Sequence, residues 1–412
     1  MSENSYRNEL SNAKNTNTSL SQNIYLDMAA TTMPIKDVII ETIEYMLYKW
    51  HNPSSLYTPA KEVKNNIEEV RCKIAKTINA KPHEIFFTSG GCESNSMALL
   101  GLLNSKHTEV ENVITSNLEH TSIVKLLESN SDKVNVIKVK NDKNGIIDLL
   151  DLISILDTLK KDEDECLNRK TLITLQFANN EIGTIQDMKT ISDLIHMNGK
   201  NFIIHTDAVQ AYGHIPIDVK ELGLDMMSVS GHKIGCPKGI GFLYIKEKIQ
   251  KYIEPIIYGS QENGLRGGTE NVPYIMGLGR AVDFLNYDNK ELINKRKYFE
   301  EKLKDIGFVI NGSDNKLPNS ISATYTPPYV FNNESLIYLL DMFGIYISSG
   351  SACNSNYVKP SLVLQNIGLT NEQIAKTIRI TLPPDITKEQ IRFVVKTIKS
   401  QIEIQQLDNS LI

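Results

Sequence analysis

Residues 172–178 (LITLQFA) form an apolar run too continuous for a strand with one wet face, so they read as a strand buried in a sheet covered on both sides. Comparable short runs occur at 85–88 (IFFT), 113–115 (VIT), 202–206 (FIIHT), 226–229 (MMSV) and 241–245 (GFLYI). Helical stretches separate them, one opening after the Gly-rich turn that follows Thr88 and another after Glu119. Strands separated by helices imply right-handed crossovers and a mainly parallel sheet. Functional loops then belong at the carboxyl ends of those strands.

The chain has 412 residues, which calls for two domains or one large α/β domain with an appendage. A long helical stretch at about 273–306 is placed as the spine between a large and a smaller part. Beyond it, strand-like 321–324 and 378–382 and helix-like 334–342 and 388–405 outline a small α+β unit. Residues 160–168 read as an acidic surface loop, and no internal repeat is present.

A net charge of −5 and 23% charged residues point to neither a nucleic acid nor a membrane surface as the main partner. No apolar run approaches the roughly 18 residues of a membrane span. The first 23 residues read as a disordered tail, polar and rich in Ser and Asn; with one Arg alongside Glu3 and Glu9 it resembles neither a secretion signal nor a transit peptide, which points to the cytoplasm. Cys72, Cys92, Cys166, Cys236 and Cys353 are odd in number and contain no CxxC pair, so neither a disulfide framework nor a metal site is expected.

Four segments carry chemistry. Ser230-Gly231-His232-Lys233 places a lysine in a tight turn after a strand, as an aldehyde cofactor requires; alone, such a lysine is far more often a solvated loop residue. Asp207, ending the 202–206 run, needs a positive partner, for which a protonated pyridine nitrogen would serve, or else caps the next helix. Gln210 follows about one turn later, within reach of a ring hydroxyl. The turn Thr88-Ser89-Gly90-Gly91-Cys92 joins a strand to a helix and offers N–H groups to a phosphate, although it is neither a Walker loop nor a dinucleotide fingerprint. Cys353, in the small polar run 348–356, suits an exposed nucleophile or is an incidental thiol. Arg379 between apolar strand residues needs an anion, either a substrate carboxylate or a structural partner.

In this order and spacing the segments resemble a cysteine desulfurase of the NifS/IscS group, within the class V aminotransferase-like pyridoxal-phosphate (PLP) enzymes. Further matches run from Tyr25-Leu26-Asp27 through Asn52-Pro53-Ser54-Ser55, Glu119-His120-Thr121, Asn179-Asn180-Glu181-Ile182-Gly183 and Arg266-Gly267-Gly268-Thr269-Glu270-Asn271 to the SSGSAC run ending at Cys353. The resemblance implies an α/β, type I PLP-dependent transferase fold. It has a large domain at 34–288 with a mainly parallel seven-stranded sheet, and a smaller α+β domain from 24–33 and 289–412 that carries the cysteine loop. It implies PLP bound covalently by Lys233, stacked on by His120, paired at its ring nitrogen with Asp207, bonded by Gln210 and flanked by Asn180. Gly91, Cys92, Ser230 and His232 would hold its phosphate, and Thr269 would reach the phosphate of a second subunit, which makes a homodimer.

On the same ground Asn180 and Arg379 would bind L-cysteine. Cys353 would take its sulfur, transiently ligate an iron–sulfur cluster, and pass sulfur to an iron–sulfur scaffold protein or another acceptor such as a tRNA-thiolation enzyme. The run to Leu364 resembles the longer-loop subgroup. Three places depart from the pattern: Cys92 stands where many relatives have threonine, 56–59 (LYTP) replaces the usual His and Gly, and 381–384 (TLPP) lacks a usual Gly. The alternatives on the same scaffold are a selenocysteine lyase and a small-molecule aminotransferase, and Cys353 argues against the latter. A non-catalytic assembly protein and a nicotinamide-linked oxidoreductase fit these residues less well.

Overall fold

The computed structural model describes residues 23–159, 169–327, 332–349 and 360–410, with side chains to 405. The expected tail, the acidic loop and the Cys353 segment lie outside the described residues. Strand β1 (Ile24–Tyr25) leads into seven strands: β2 (Ile85–Thr88), β3 (Glu109–Ser116), β4 (Asn135–Val139), β5 (Arg169–Thr174), β6 (Phe202–Asp207), β7 (Met226–Ser230) and β8 (Gly241–Ile245). These build one sheet in the order β2-β8-β7-β6-β5-β3-β4. Pairs β7–β6, β6–β5, β5–β3 and β3–β4 are parallel, while β8 runs antiparallel to both its neighbours. The fold is thus α/β with a mainly parallel sheet, as read from the sequence.

The direction of β8 was not legible from its composition. Between β7 and β8 the chain makes a short 3-10 turn (Gly231–Lys233) and no crossover helix, so the strand returns beside the one it left. Strand β4 also escaped notice, because it is an edge strand with one buried residue in five. The buried run 172–178 keeps to β6 beyond the end of β5: Leu175 N–H bonds His205 O and Phe177 N–H bonds Asp207 O. One apolar face of the sheet packs Ile114, Ile173, Ile204, Met227 and Phe242; the other packs Val113, Leu172, Ile203, Met226 and Leu243. Residues alternate between faces along each strand, which is why these runs carry no polar alternation.

The expected spine is two helices, Val272–Val282 and Lys290–Lys304. Backbone turn bonds carry the chain to Leu285, after which Asn286 accepts from Asp288 N–H and Asn289 donates to His214 O, so side-chain bonds stand in for helical ones across 286–289. The second core gathers on β9 (Phe308–Ile310), β10 (Ser320–Tyr325), β11 (Ile345–Tyr346), β12 (Ser348–Ser349) and β13 (Thr377–Thr381). Strands β12-β13-β10-β9 form an antiparallel sheet, and β1 pairs parallel with β11. Ile24 and Leu26 share this core with Phe299, Ile380 and Val394 of the final helix, Lys388–Ser410. Among the described residues no helix is long and apolar enough to cross a membrane.

The turn after β2 is held tightly against β8. A Cβ on Gly241 would lie 2.8 Å from Gly90 Cα and would also strike Val229 O. Gly90 itself adopts φ +149°, a conformation open mainly to glycine. Gly241→Ala should therefore destabilise the fold by about 1–3 kcal/mol, read as a lowered midpoint in denaturant unfolding at unchanged slope.

Candidate active site

The carboxyl ends of β2, β3, β5, β6 and β7 open into one cavity of about 450 Å³. Of the residues singled out from sequence, Gly91, Cys92, His120, Asn180, Asp207, Gln210, Ser230, His232, Lys233 and Arg379 line it. Thr269 does not; it is exposed on the loop before the helix Val272–Val282. Cys353 lies outside the described residues, but Ser348 and Ser349 of β12, just before it in sequence, line the same cavity.

Asp207 is 2% exposed at the tip of β6. One carboxylate oxygen accepts from Val209 N–H at 3.0 Å and the other from Asn95 Nδ2 at 2.8 Å. The chain continues in turns rather than a helix, so Asp207 caps no helix and its charge faces the cavity. Lys233, 9% exposed, follows β7 and donates from Nζ to Ala29 O and, at 2.8 Å, to Ala30 O. Burial first and then Arg379 push its amine down to about 8, against the opposing pull of Asp27 and Asp207. Gln210 donates to the same Ala29 carbonyl at 3.0 Å. The turn 27–32 is thereby stitched to the site, and Thr32 donates to His232 O from both N–H and Oγ1.

His120 caps the helix Thr121–Glu128, its Nδ1 accepting from Ser122 N–H. Burial holds its imidazole below the usual value; Asp207 opposes this and Lys233 adds to it. His232 contacts Thr31 Oγ1 at 3.1 Å and is held down to about 4 by burial and by Lys233 and Lys238. Both rings are therefore neutral at pH 7.

The helix Gly91–Leu103 points its first turn at the cavity. A Cβ on Gly91 would meet Val209 Cγ2 at 2.6 Å, so a side chain there would push Val209 aside. Unpaired N–H groups and the helix dipole make this end a seat for an anion. Cys92 is exposed at its edge. Although burial pushes the Glu93 carboxyl up, Arg266 at 2.8 Å and Ser89 N–H hold it below its ordinary range. Arg266 thus ties the segment carrying Thr269 to this turn.

Arg379, on β13, reaches the cavity from the second sheet. Its Nη2 pairs with Asp27 at 2.8 Å and its Nη1 donates to Asn180 O at 3.1 Å, while Nε has no partner among the described residues. The structural ion pair weighed from sequence is real, and it leaves the guanidinium lining the cavity with N–H donors to spare. Asp27, Asn95, Ser122 and Gln176 were not singled out from sequence. Asn95 carried no separate signal, because it stands in a polar first part of its helix beside Glu93, Ser94 and Ser96.

Comparison with known proteins places this architecture. The sequence profile of the family described as Aminotransferase class-V matches residues 24–394. A protein of Dictyoglomus turgidum named cysteine desulfurase IscS is 38% identical over 397 residues, covering 93% of this chain and 95% of that one. The mitochondrial cysteine desulfurase of Saccharomyces cerevisiae is 34% identical, covering 92% of this chain and 75% of its own. A solved NifS-like protein superposes with a TM-score of 0.82 at 31% identity, covering 93% of this chain and all of that one. A structure described as SspA in complex with cysteine gives 0.75 at 33%, covering 88% and 99%. The chain belongs to the aminotransferase class-V family, in its cysteine desulfurase branch.

Glu119, beside His120 in sequence, is buried with Oε1 accepting from Ser116 Oγ and Gln176 N–H and with Oε2 unpartnered among the described residues. Burial pushes its carboxyl from 4.5 up to about 8. The folded chain therefore holds this proton more tightly than the unfolded chain, and the stability this contributes, complete below pH 4.5, is lost as pH rises through about 8. Glu119→Gln cannot ionise, so its unfolding free energy should fall less steeply than wild type across that window in a denaturation series against pH.

Proposed function

We propose that the chain is a PLP-dependent cysteine desulfurase, a sulfurtransferase that takes sulfur from L-cysteine, releases L-alanine and carries the sulfur as a persulfide on Cys353. The observation that carries this reading is the convergence of Lys233, Asp207 and His120 on one cavity that ends in a glycine-lined helix start. That set fits the cofactor: an amine for the aldehyde, a buried carboxylate for the ring nitrogen, a neutral imidazole for the ring face. The Gly91 turn, with Ser230 and His232, would hold the phosphate. Cys92, a weaker donor than the family's threonine, leaves more of that task to backbone N–H groups. Asn180 and Gln210 would flank the ring.

When bound, PLP supplies an electron sink for charge developing at the substrate Cα. Asp207 keeps the proton on the ring nitrogen. Arg379 takes the substrate carboxylate, held in place by Asp27 and the Asn180 carbonyl. The Lys233 amine would be the base that takes the proton from the substrate Cα. The Cys353 thiolate would then attack the substrate sulfur, forming a sulfur–sulfur bond as the carbon–sulfur bond breaks, with the bond's electron pair left on the substrate carbon, which takes up a proton and leaves as L-alanine.

A homodimer belongs to the same proposal, supported by exposed apolar side chains at Trp50, Leu56, Tyr57 and Tyr258 and by the position of Thr269 outside the cavity. So do delivery of sulfur to an iron–sulfur scaffold or tRNA-thiolation acceptor, transient cluster ligation by Cys353, and a cytoplasmic setting in which Cys72, Cys92 and Cys236 stay free. The two separate cores support division into a large domain (34–288) and a small one (24–33 with 289–412).

Incubation with L-cysteine should yield alanine and add sulfur to the Cys353 peptide, read by mass spectrometry; alanine formation that instead requires a keto acid would overturn the reading in favour of transamination. Lys233→Ala should abolish turnover and the visible cofactor band, whereas Cys353→Ser should keep the band and stop sulfur release. Only the neutral amine adds to an aldehyde, so cofactor uptake by stripped protein should quicken as pH rises towards and through about 8. A lysine at its ordinary value would need a pH near 10.4.

A further inference from the structure

The cavity holds a hydrogen-bond chain that the reaction above does not use. Asn95, 1% exposed, donates from Nδ2 to Asp207 Oδ2 at 2.8 Å and to Ser122 Oγ at 3.0 Å. Ser122 Oγ lies 2.8 Å from His120 Nδ1, and Ser122 N–H donates to that same nitrogen at 3.2 Å. We infer that Asn95 and Ser122 are positioning residues that lock His120 into one tautomer, with its proton on Nε2, and tie that ring to the Asp207 carboxylate.

The direction of every bond follows from chemistry. An amide oxygen facing Asp207 would repel the carboxylate, so Asn95 must present its NH₂ there. That NH₂ can only donate, so Ser122 Oγ accepts from it and spends its own proton on His120 Nδ1. A backbone N–H also only donates, and it meets the same Nδ1. With two donors aimed at it, Nδ1 carries a lone pair, and the neutral ring has its proton on Nε2. Nε2 has no hydrogen-bond partner among the described residues, and the ring lines the cavity. His120 is thus set as a donor towards whatever the cavity binds, not as a base at Nε2. The charged groups facing the ring are Asp207 from β6 and Lys233 after β7.

The ordinary alternative is that Ser122 is a solvated residue in a helix first turn and Asn95 a packing amide. Its hydroxyl does not cap that helix, because the cap is His120 itself. Asn95 spends its amide on two cavity groups instead of its own helix.

This inference rests on the desulfurase reading for its catalytic consequence, but not for its central measurement. In the full-length protein as purified, carrying ¹⁵N-labelled histidine, the His120 resonances, assigned by loss in His120→Asn, should show a neutral ring protonated at Nε2. Ser122→Ala removes the shorter bond to Nδ1 and leaves the backbone N–H, so it should shift the Nδ1 resonance and loosen the ring with Nε2 still protonated, and lower kcat by about tenfold with KM for L-cysteine little changed; Ser122→Thr, which keeps the hydroxyl, should restore both. A wild-type ring protonated at Nδ1, or a Ser122→Ala enzyme with wild-type resonances and pH–rate profile, would overturn it. If instead no alanine forms from L-cysteine in wild type, the desulfurase reading fails while the tautomer result stands by itself.

Discussion

Two opposite charges kept out of water govern this structure. Asp207 and Lys233 sit almost wholly buried at the carboxyl edge of neighbouring parallel strands. Unpaired burial of an ionised group costs several kcal/mol, so the surrounding chain is organised to meet their hydrogen-bonding demand. Asn95 and Val209 serve the carboxylate; the Ala29 and Ala30 carbonyls serve the ammonium. The carbonyls satisfy the amine's geometry without neutralising it, and burial together with Arg379 leaves its proton loosely held.

Each partner comes from a different stretch of chain, which is why the parallel sheet matters. Parallel strands bring several carboxyl ends to one edge, so residues near 90, 120, 176, 207 and 233 meet without any long loop. The second sheet contributes from the opposite side. Arg379 enters from β13 and is steered by Asp27, and the short strand β12 brings Ser348 and Ser349 to the same wall. Glu181 adds a further tie, accepting from Ser361 at the start of the helix Leu362–Asn366.

Much of this was legible in the residues. The buried strands announced themselves because a sheet covered on both faces leaves no polar alternation, and the cavity residues did so because a charge at the end of such a strand is anomalous unless something uses it. What escaped detection did so for physical reasons. Strand β4 borrows its burial from its neighbour, and the reversal at β8 depends on the lack of a crossover. The break at 286–289 rests on Asn and Asp bonds that a periodicity count does not register. Asn95 and Ser122 matter through whom they bond, and partners distant in sequence leave no trace in it. Asp27 was passed over because its partner, Arg379, lies more than 350 residues away. Thr269 was expected at the phosphate of a second subunit, and it lies outside the cavity of its own chain.

The segment 24–32 has a consequence for the order in which the molecule can be assembled. Its first residues pair with β11 and are bonded by Thr381 N–H, while its last ones cover Lys233. During synthesis this stretch emerges early; residues 29–32 meet Gln210, His232 and Lys233 once those appear, whereas residues 24–26 have no strand to pair with until chain more than 300 residues downstream has appeared. Contacts of such sequence separation form slowly and late. The strand that anchors one end of the lysine's carbonyl cover is thus among the last parts to pair, so a nascent chain stalled before β11 would hold that cover from the large sheet's side alone.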